Sequence, residues 1–142
     1  MIELTLPYPP STNHYKIFGR LRMSKGGKMY REKVNSPETM KFYCDVSNIA
    51  LKEGAKNRIS ETILLEVSLC IHPPSNRRAD IDNRIKVTLD SLVRSNVIPD
   101  DSQIGRLVVE KCAIIKHGQI IVRISPYVAL TRTNAEESRS TR

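Results

Sequence analysis

The chain has no tryptophan, two phenylalanines and five tyrosines, and only 39% of its 142 residues are hydrophobic. One domain of this length is expected, and a lean core of that kind gains from association with a second copy. No apolar run approaches the roughly 18 residues that would span a bilayer, so no membrane partner is expected. Met1-Ile2-Glu3-Leu4 shows neither a basic n-region nor an apolar h-region, which points to a cytoplasmic protein. Cysteine is scarce as well: Cys44, Cys70 and Cys112 are odd in number, far apart and outside any C-x-x-C pair. That pattern argues for buried, reduced thiols and against zinc or a disulfide framework. Acid is in the minority, 15 Asp+Glu against 23 Lys+Arg, for a net charge of +8. No basic amphipathic helix with a strong apolar face stands out, so nucleic acid is the partner that the charge suggests.

What is present reads as short strands and two helices. Ile2 to Leu6 is a predicted strand, stopped by Pro7-Tyr8-Pro9-Pro10. Tyr15 to Met23 is a second, turning at Lys25-Gly26-Gly27-Lys28. Met29 to Val34 could add a helical turn before the main helix. Ser36-Pro37-Glu38 has the N-cap, first-position proline and acidic first turn of a helix start. Met40, Tyr43, Cys44, Ser47, Ala50 and Leu51 would form that helix's inner face, and Gly54 would end it. Thr62 to Ile71 alternates apolar and polar residues, the signature of a half-buried strand. A second helix is predicted from about Asp82 to Ser95, with Ile85, Leu89, Leu92 and Val93 as its stripe and Asn96 and Pro99 closing it. Leu107 to Ile115 and Gln119 to Ile124 would be two further strands joined by a turn at His117-Gly118. This order implies an α+β fold: a small mixed β-sheet with two main helices on one face. Residues 1–126 would be the domain and 127–142 a polar, disordered tail.

Within this basic chain, Asp80-Ile81-Asp82-Asn83-Arg84-Ile85-Lys86 and Pro99-Asp100-Asp101 gather four carboxylates around a lysine. Such a knot would repel a polyanion unless a divalent cation offsets it. Residues four apart share a helical face, so Asp82 and Lys86 are expected to project together. A strand pairing beside the one ending near Ile71 would carry Asp101 toward Asp80. Three converging oxygens suit Mg²⁺, with Lys86 as the cationic group and Asn83 steadying the aspartates by a hydrogen bond. A structural reading competes: Asp82 as a helix cap, Asp90 as a partner of Lys86 or Arg94, and Asp100-Asp101 as a turn. Such features are common and are worth only about 0.3–1 kcal/mol each; spacing alone leaves them ahead of metal binding. Asn13, Tyr15, Lys16, Arg20, Arg77, Arg78 and Arg84 are the candidate DNA contacts, by charge and by stacking.

The sequence resembles the RusA family of Holliday junction resolvases, carried by bacteria and their prophages. The resemblance rests on Leu6-Pro7-Tyr8-Pro9-Pro10-Ser11-Thr12-Asn13, on Arg78-Ala79-Asp80-Ile81-Asp82-Asn83 with Lys86, and on Pro99-Asp100-Asp101. It spans roughly residues 1 to 125. It implies a RusA-like fold and a homodimeric endonuclease, dependent on Mg²⁺ with Mn²⁺ able to substitute, that cuts four-way DNA junctions in bacterial or phage-infected cells. It also implies Asp80, Asp82 and Asp101 as metal ligands and Lys86 as the essential cation. The arginine-rich run before the first aspartate is thinner here, with Ser75 and Asn76 ahead of Arg77 and Arg78. The rival from another class is a non-catalytic nucleic-acid-binding module. An Asp-nucleophile phosphatase would need its D-x-D straight after a hydrophobic strand, and Pro73 to Ala79 intervene.

Overall fold

The computed structural model describes residues 1–11, 16–78 and 80–128. Six strands and two helices follow in the order β1 (Ile2–Pro7), β2 (Lys16–Met23), β3 (Met29–Asn35), α1 (Pro37–Lys52), β4 (Leu65–His72), α2 (Ile85–Arg94), β5 (Ile104–Lys111) and β6 (Gln119–Pro126). Four strands form one mixed sheet in the order β1-β6-β4-β5, while β2 and β3 make a separate antiparallel ribbon. Within the sheet only β4 and β5 run parallel, with Leu65 beside Ile104 and Ile71 beside Lys111.

Alternation along β1, β4 and β6 explains the core. Leu4, Leu6, Val67, Leu69, Ile71, Ile120, Val122 and Ile124 are all buried on the face that α1 and α2 cover. The opposite face carries the ion pairs Arg123–Glu3 at 2.9 Å and Arg106–Glu66 at 3.7 Å. Helix α1 starts as its sequence dictates: the Ser36 hydroxyl accepts from the Thr39 N–H at 3.2 Å, and Pro37 opens the first turn. Its inner face is Thr39, Phe42, Tyr43, Val46 and Ala50, about one residue out of phase with expectation, so Met40, Cys44 and Leu51 are exposed. Left-handed Gly54 and Asn96 end the two helices.

Two further expectations change. Met29 to Val34 is not a helical turn but most of β3, because its partner is β2 and not the core. The ribbon so formed leaves Ile17, Phe18, Leu21, Met23, Met29 and Tyr30 exposed. The cysteines also differ from the sequence reading. Cys44 is exposed, and Cys70 is disulfide-bonded to Cys112, 42 residues away. Parallel pairing of β4 with β5 brings those two together, a register that spacing in the sequence does not reveal. Tyr127 extends the ordered chain past residue 126, donating its N–H to the Leu64 carbonyl. The rest of the expected tail, residues 129–142, lies outside the described residues.

Candidate active site

Parallel strands place their carboxyl ends side by side, and open α/β units bind ligands at that edge. After β4 the chain runs through Pro73–Arg78 to Asp80, then enters a 3-10 turn, Ile81–Arg84, which leads into α2. The predicted helix from Asp82 is therefore split: a tight turn first and an α-helix only from Ile85. Asp80 and Asp82 line one hollow with Ile81 and Lys111, the last residue of β5. Both aspartates are exposed, and Asp80 occupies the cap position without making a side-chain cap bond. Among the described residues, neither carboxylate has a hydrogen-bond or ion-pair partner. Helix capping and salt bridging, the competing structural roles, do not account for either. Lys111 escaped sequence reasoning, because its place depends on the β4–β5 register.

Lys86 is the second residue of α2, exposed, with Nζ 3.8 Å from Asp90 Oδ2. That is the ion pair expected for Asp90. Asn83 sits within the 3-10 turn, half-buried.

Asp101 is elsewhere. It precedes β5, whereas Lys111 ends it, and about 23 Å of strand separates those ends at ~3.3 Å per residue. Asp101 lines a second hollow with Lys16, Asn35, Tyr43, Asp90, Val93 and Arg94. The expected approach of Asp101 to Asp80 through strand pairing is overturned: β5 does lie beside β4, but parallel, which sends its amino end the other way. The turn holding Asp101 is well built. The Asp100 side chain accepts from the Ser102 N–H at 3.0 Å, and the Gln103 side-chain oxygen accepts from the Asp100 N–H at 3.1 Å. The Ser102 N–H, helped by its hydroxyl and by Asp101, holds the Asp100 carboxyl below its usual range. Gln103 is buried and donates to the carbonyls of Ser60 and Ile63 at 2.8 and 2.9 Å.

A basic hollow is built from the segments that flank the aspartates in the chain. Arg77, Arg78 and Arg84 line it with Tyr8, Pro73, Pro74 and Ser75. Arg77 and Arg78 are exposed. Arg84 is tied down: NH1 donates to the Pro9 carbonyl at 2.6 Å, and its guanidinium lies 4.5 Å over the Tyr8 ring. Tyr8 also abuts Gly118, which has φ +69° and where a Cβ would meet the ring at 2.8 Å. So the proline-rich start and the aspartate segment, 75 residues apart, are one structural unit. Lys16 and Arg20 lie on β2, Lys16 facing the Asp101 hollow and Arg20 exposed. Asn13 and Tyr15 fall outside the described residues.

The chain matches the family model described as "Endodeoxyribonuclease RusA" over residues 7–125. It is 28% identical over 125 residues to crossover junction endodeoxyribonucleases RusA of Enterobacteria phage 82 and of Escherichia coli K12, covering 87% of this chain and 92% of each relative. The enzyme of that name from phage HK97 is 27% identical over the same span. The matched region holds all three hollows, the Tyr8–Arg84 contact that joins its two motif segments, and the mixed sheet apart from most of β1 and the last residue of β6. The chain belongs to the endodeoxyribonuclease RusA family.

Proposed function

We propose that this protein is a Mg²⁺-dependent, structure-selective endonuclease that resolves four-way DNA junctions by paired symmetric nicks, acting as a homodimer. The observation that carries the reading is the hollow where Asp80 and Asp82 stand exposed beside Lys111, unpaired among the described residues, in a chain of net charge +8. Two hard carboxylates open to water fit Mg²⁺, which keeps several waters and takes one or two carboxylates per site. When bound, such an ion would polarise the scissile phosphate and lower the pKa of an attacking water. Mn²⁺, also at home among carboxylates and water, would substitute.

The chain's own residues supply the rest. Arg77 and Arg78 grip a backbone phosphate beside the acidic hollow, and Arg84 holds the Tyr8–Pro9 segment beneath them. Lys111 at the hollow and Lys86 on the next turn offset charge that develops on the phosphate. The β2–β3 ribbon, with Lys16, Arg20, Arg22, Lys25, Lys28, Arg31 and Lys33, forms an arm along a neighbouring DNA limb, and Asn13 and Tyr15 lead into it. Asn83 steadies the turn that carries Asp82.

Asp101 remains the third ligand, but its distance from Asp80 and Asp82 within one chain means that the second copy brings it. A two-fold dimer would then form two equivalent acidic sites, matching the two symmetric cuts that a junction requires. The test is cleavage of a synthetic junction with Mg²⁺, with Mn²⁺ or with EDTA. Wild type nicks the junction and spares linear duplex, EDTA stops it, and Asp82→Asn binds the junction without cutting. Normal cutting by Asp82→Asn would sink the assignment.

A further inference from the structure

Spacing in the chain argues against zinc, yet the fold places two of the three cysteines beside a histidine. Cys70 and His72 are two apart on β4 and so share its open face, away from the helices. Cys112 follows β5, its N–H donating to the Ile71 carbonyl at 2.8 Å, which seats it across from them. The two sulfurs and one imidazole nitrogen lie within 4.8 Å of one another, and all three residues are half-buried.

The histidine is oriented by a second contact. His72 Nδ1 sits 2.7 Å from the Ala113 carbonyl. A carbonyl can only accept, so Nδ1 carries a proton, and in the neutral ring that leaves the lone pair on Nε2. Nε2 in turn lies 3.6 Å from Cys70 Sγ. Metal-binding histidines use this arrangement: one nitrogen donates to a backbone carbonyl, which fixes the ring, and the other faces the metal. With Zn–S near 2.3 Å and Zn–N near 2.0 Å, a tetrahedral site places its donors about 3.6–3.8 Å apart. The Cys70 Sγ–His72 Nε2 separation is that distance, and the two sulfurs, bonded to each other here, would part to reach it on reduction.

We infer that Cys70, Cys112 and His72 form a three-ligand site for a thiophilic divalent cation of the Zn²⁺ class, of which the disulfide is the oxidised, metal-free form. Water would complete the coordination of such an ion. Interconversion is balanced. A phosphine reductant donates two electrons to the S–S bond and becomes a phosphine oxide with the oxygen of one water. The two protons of that water end on the sulfurs. Zn²⁺ then displaces both protons as it binds the two thiolates. Soft sulfur donors separate this site from the acidic hollow, which offers oxygen alone. It also has a place to act: His72 opens the segment leading to Asp80, and Cys112 directly follows Lys111. Either link, disulfide or metal, ties together the strand ends on which that hollow rests.

Cobalt reads the site directly. Full-length protein is reduced with a phosphine, desalted without oxygen and titrated with Co²⁺. The expected result is one equivalent giving a thiolate-to-cobalt charge-transfer band with tetrahedral d–d bands, bleached by Zn²⁺. The disulfide form should show no such band. Cys70→Ala and Cys112→Ala should each abolish the two-thiolate spectrum, His72→Ala should weaken binding by at least about 100-fold, and Cys44→Ser should change nothing. Circular dichroism checks that each variant is folded; a misfolded cysteine variant leaves the decision to wild type and Cys44→Ser. Absence of the band in folded, reduced wild type would overturn the proposal. So would a band lost with Cys44 or untouched by loss of His72.

Discussion

At the carboxyl end of the β4–β5 pair, Asp80 and Asp82 stand exposed beside Lys111 with no partner among the described residues. At the amino end, Asp100 is bound into a turn by Ser102, and Gln103 pins that turn to the carbonyls of Ser60 and Ile63. The same residue type serves opposite ends of one structural unit differently. Where a carboxylate is satisfied by N–H donors, the fold explains it. Where carboxylates crowd together without donors, folding gains nothing from them, and a ligand is the physical reason to place them there. Asp101 lies between the cases: its position is fixed by a structural turn, yet its side chain faces a hollow.

The largest expected effect tests whether the two ends cooperate. Asp82→Asn and Asp101→Asn should each lower junction cleavage on the order of 10³-fold, about 4 kcal/mol of barrier, with junction binding kept. Mixing the two variants decides how the ends meet. If one copy's Asp80 and Asp82 work with the other's Asp101, half of randomly paired dimers are mixed. Each mixed dimer has one intact site, so nicking returns to about one quarter of wild type. If all three carboxylates act within a chain, every site keeps one lesion and nicking stays absent.

The carboxyl end can be broken without touching an aspartate. Gly118→Ala would place a Cβ 2.8 Å from the Tyr8 ring at a φ of +69°. Backbone strain of that kind costs roughly 1–3 kcal/mol, and the ring must also move from beneath Arg84. A lowered Tm together with weaker, less salt-dependent junction binding is expected. An unchanged salt dependence would uncouple Tyr8 from the arginine hollow.

These two regions were unequally legible in the sequence. Ser36-Pro37-Glu38 announced α1, because capping is decided by neighbouring residues. Alternation from Thr62 to Ile71 announced β4, though the strand itself begins only at Leu65, and proximity along the chain announced the grouping of Asp80 with Asp82. What escaped were facts of register. Lys111 joins the acidic hollow, Cys70 meets Cys112, and Asp101 leaves the cluster, all because β4 and β5 run parallel. No local pattern encodes that choice. Strand β3 escaped for a related reason: Met29 to Asn35 buries nothing in the core, so it lacks the alternation that betrays a half-buried strand.

At the amino end, Gln103→Ala should cost about 2 kcal/mol, since two hydrogen bonds from the buried Gln103 side chain to the Ser60 and Ile63 carbonyls are lost, each worth about 1 kcal/mol. Denaturant melts measure this. A cut in cleavage larger than the loss of folded protein would show that the turn also aims Asp101. Asn at position 100 should have the smallest effect, and one confined by pH. The folded state holds the Asp100 carboxyl below its ordinary value of 3.8. Its contribution is therefore present above that value and disappears as pH falls through the lower, folded value. Thermal melts of wild type and Asp100→Asn should differ slightly at neutral pH and converge on acidification below about 3.8. A gap that persists in acid would mean that the asparagine disturbs the turn by shape. The charge-assisted bond from the Ser102 N–H would then not be what distinguishes this end from the other.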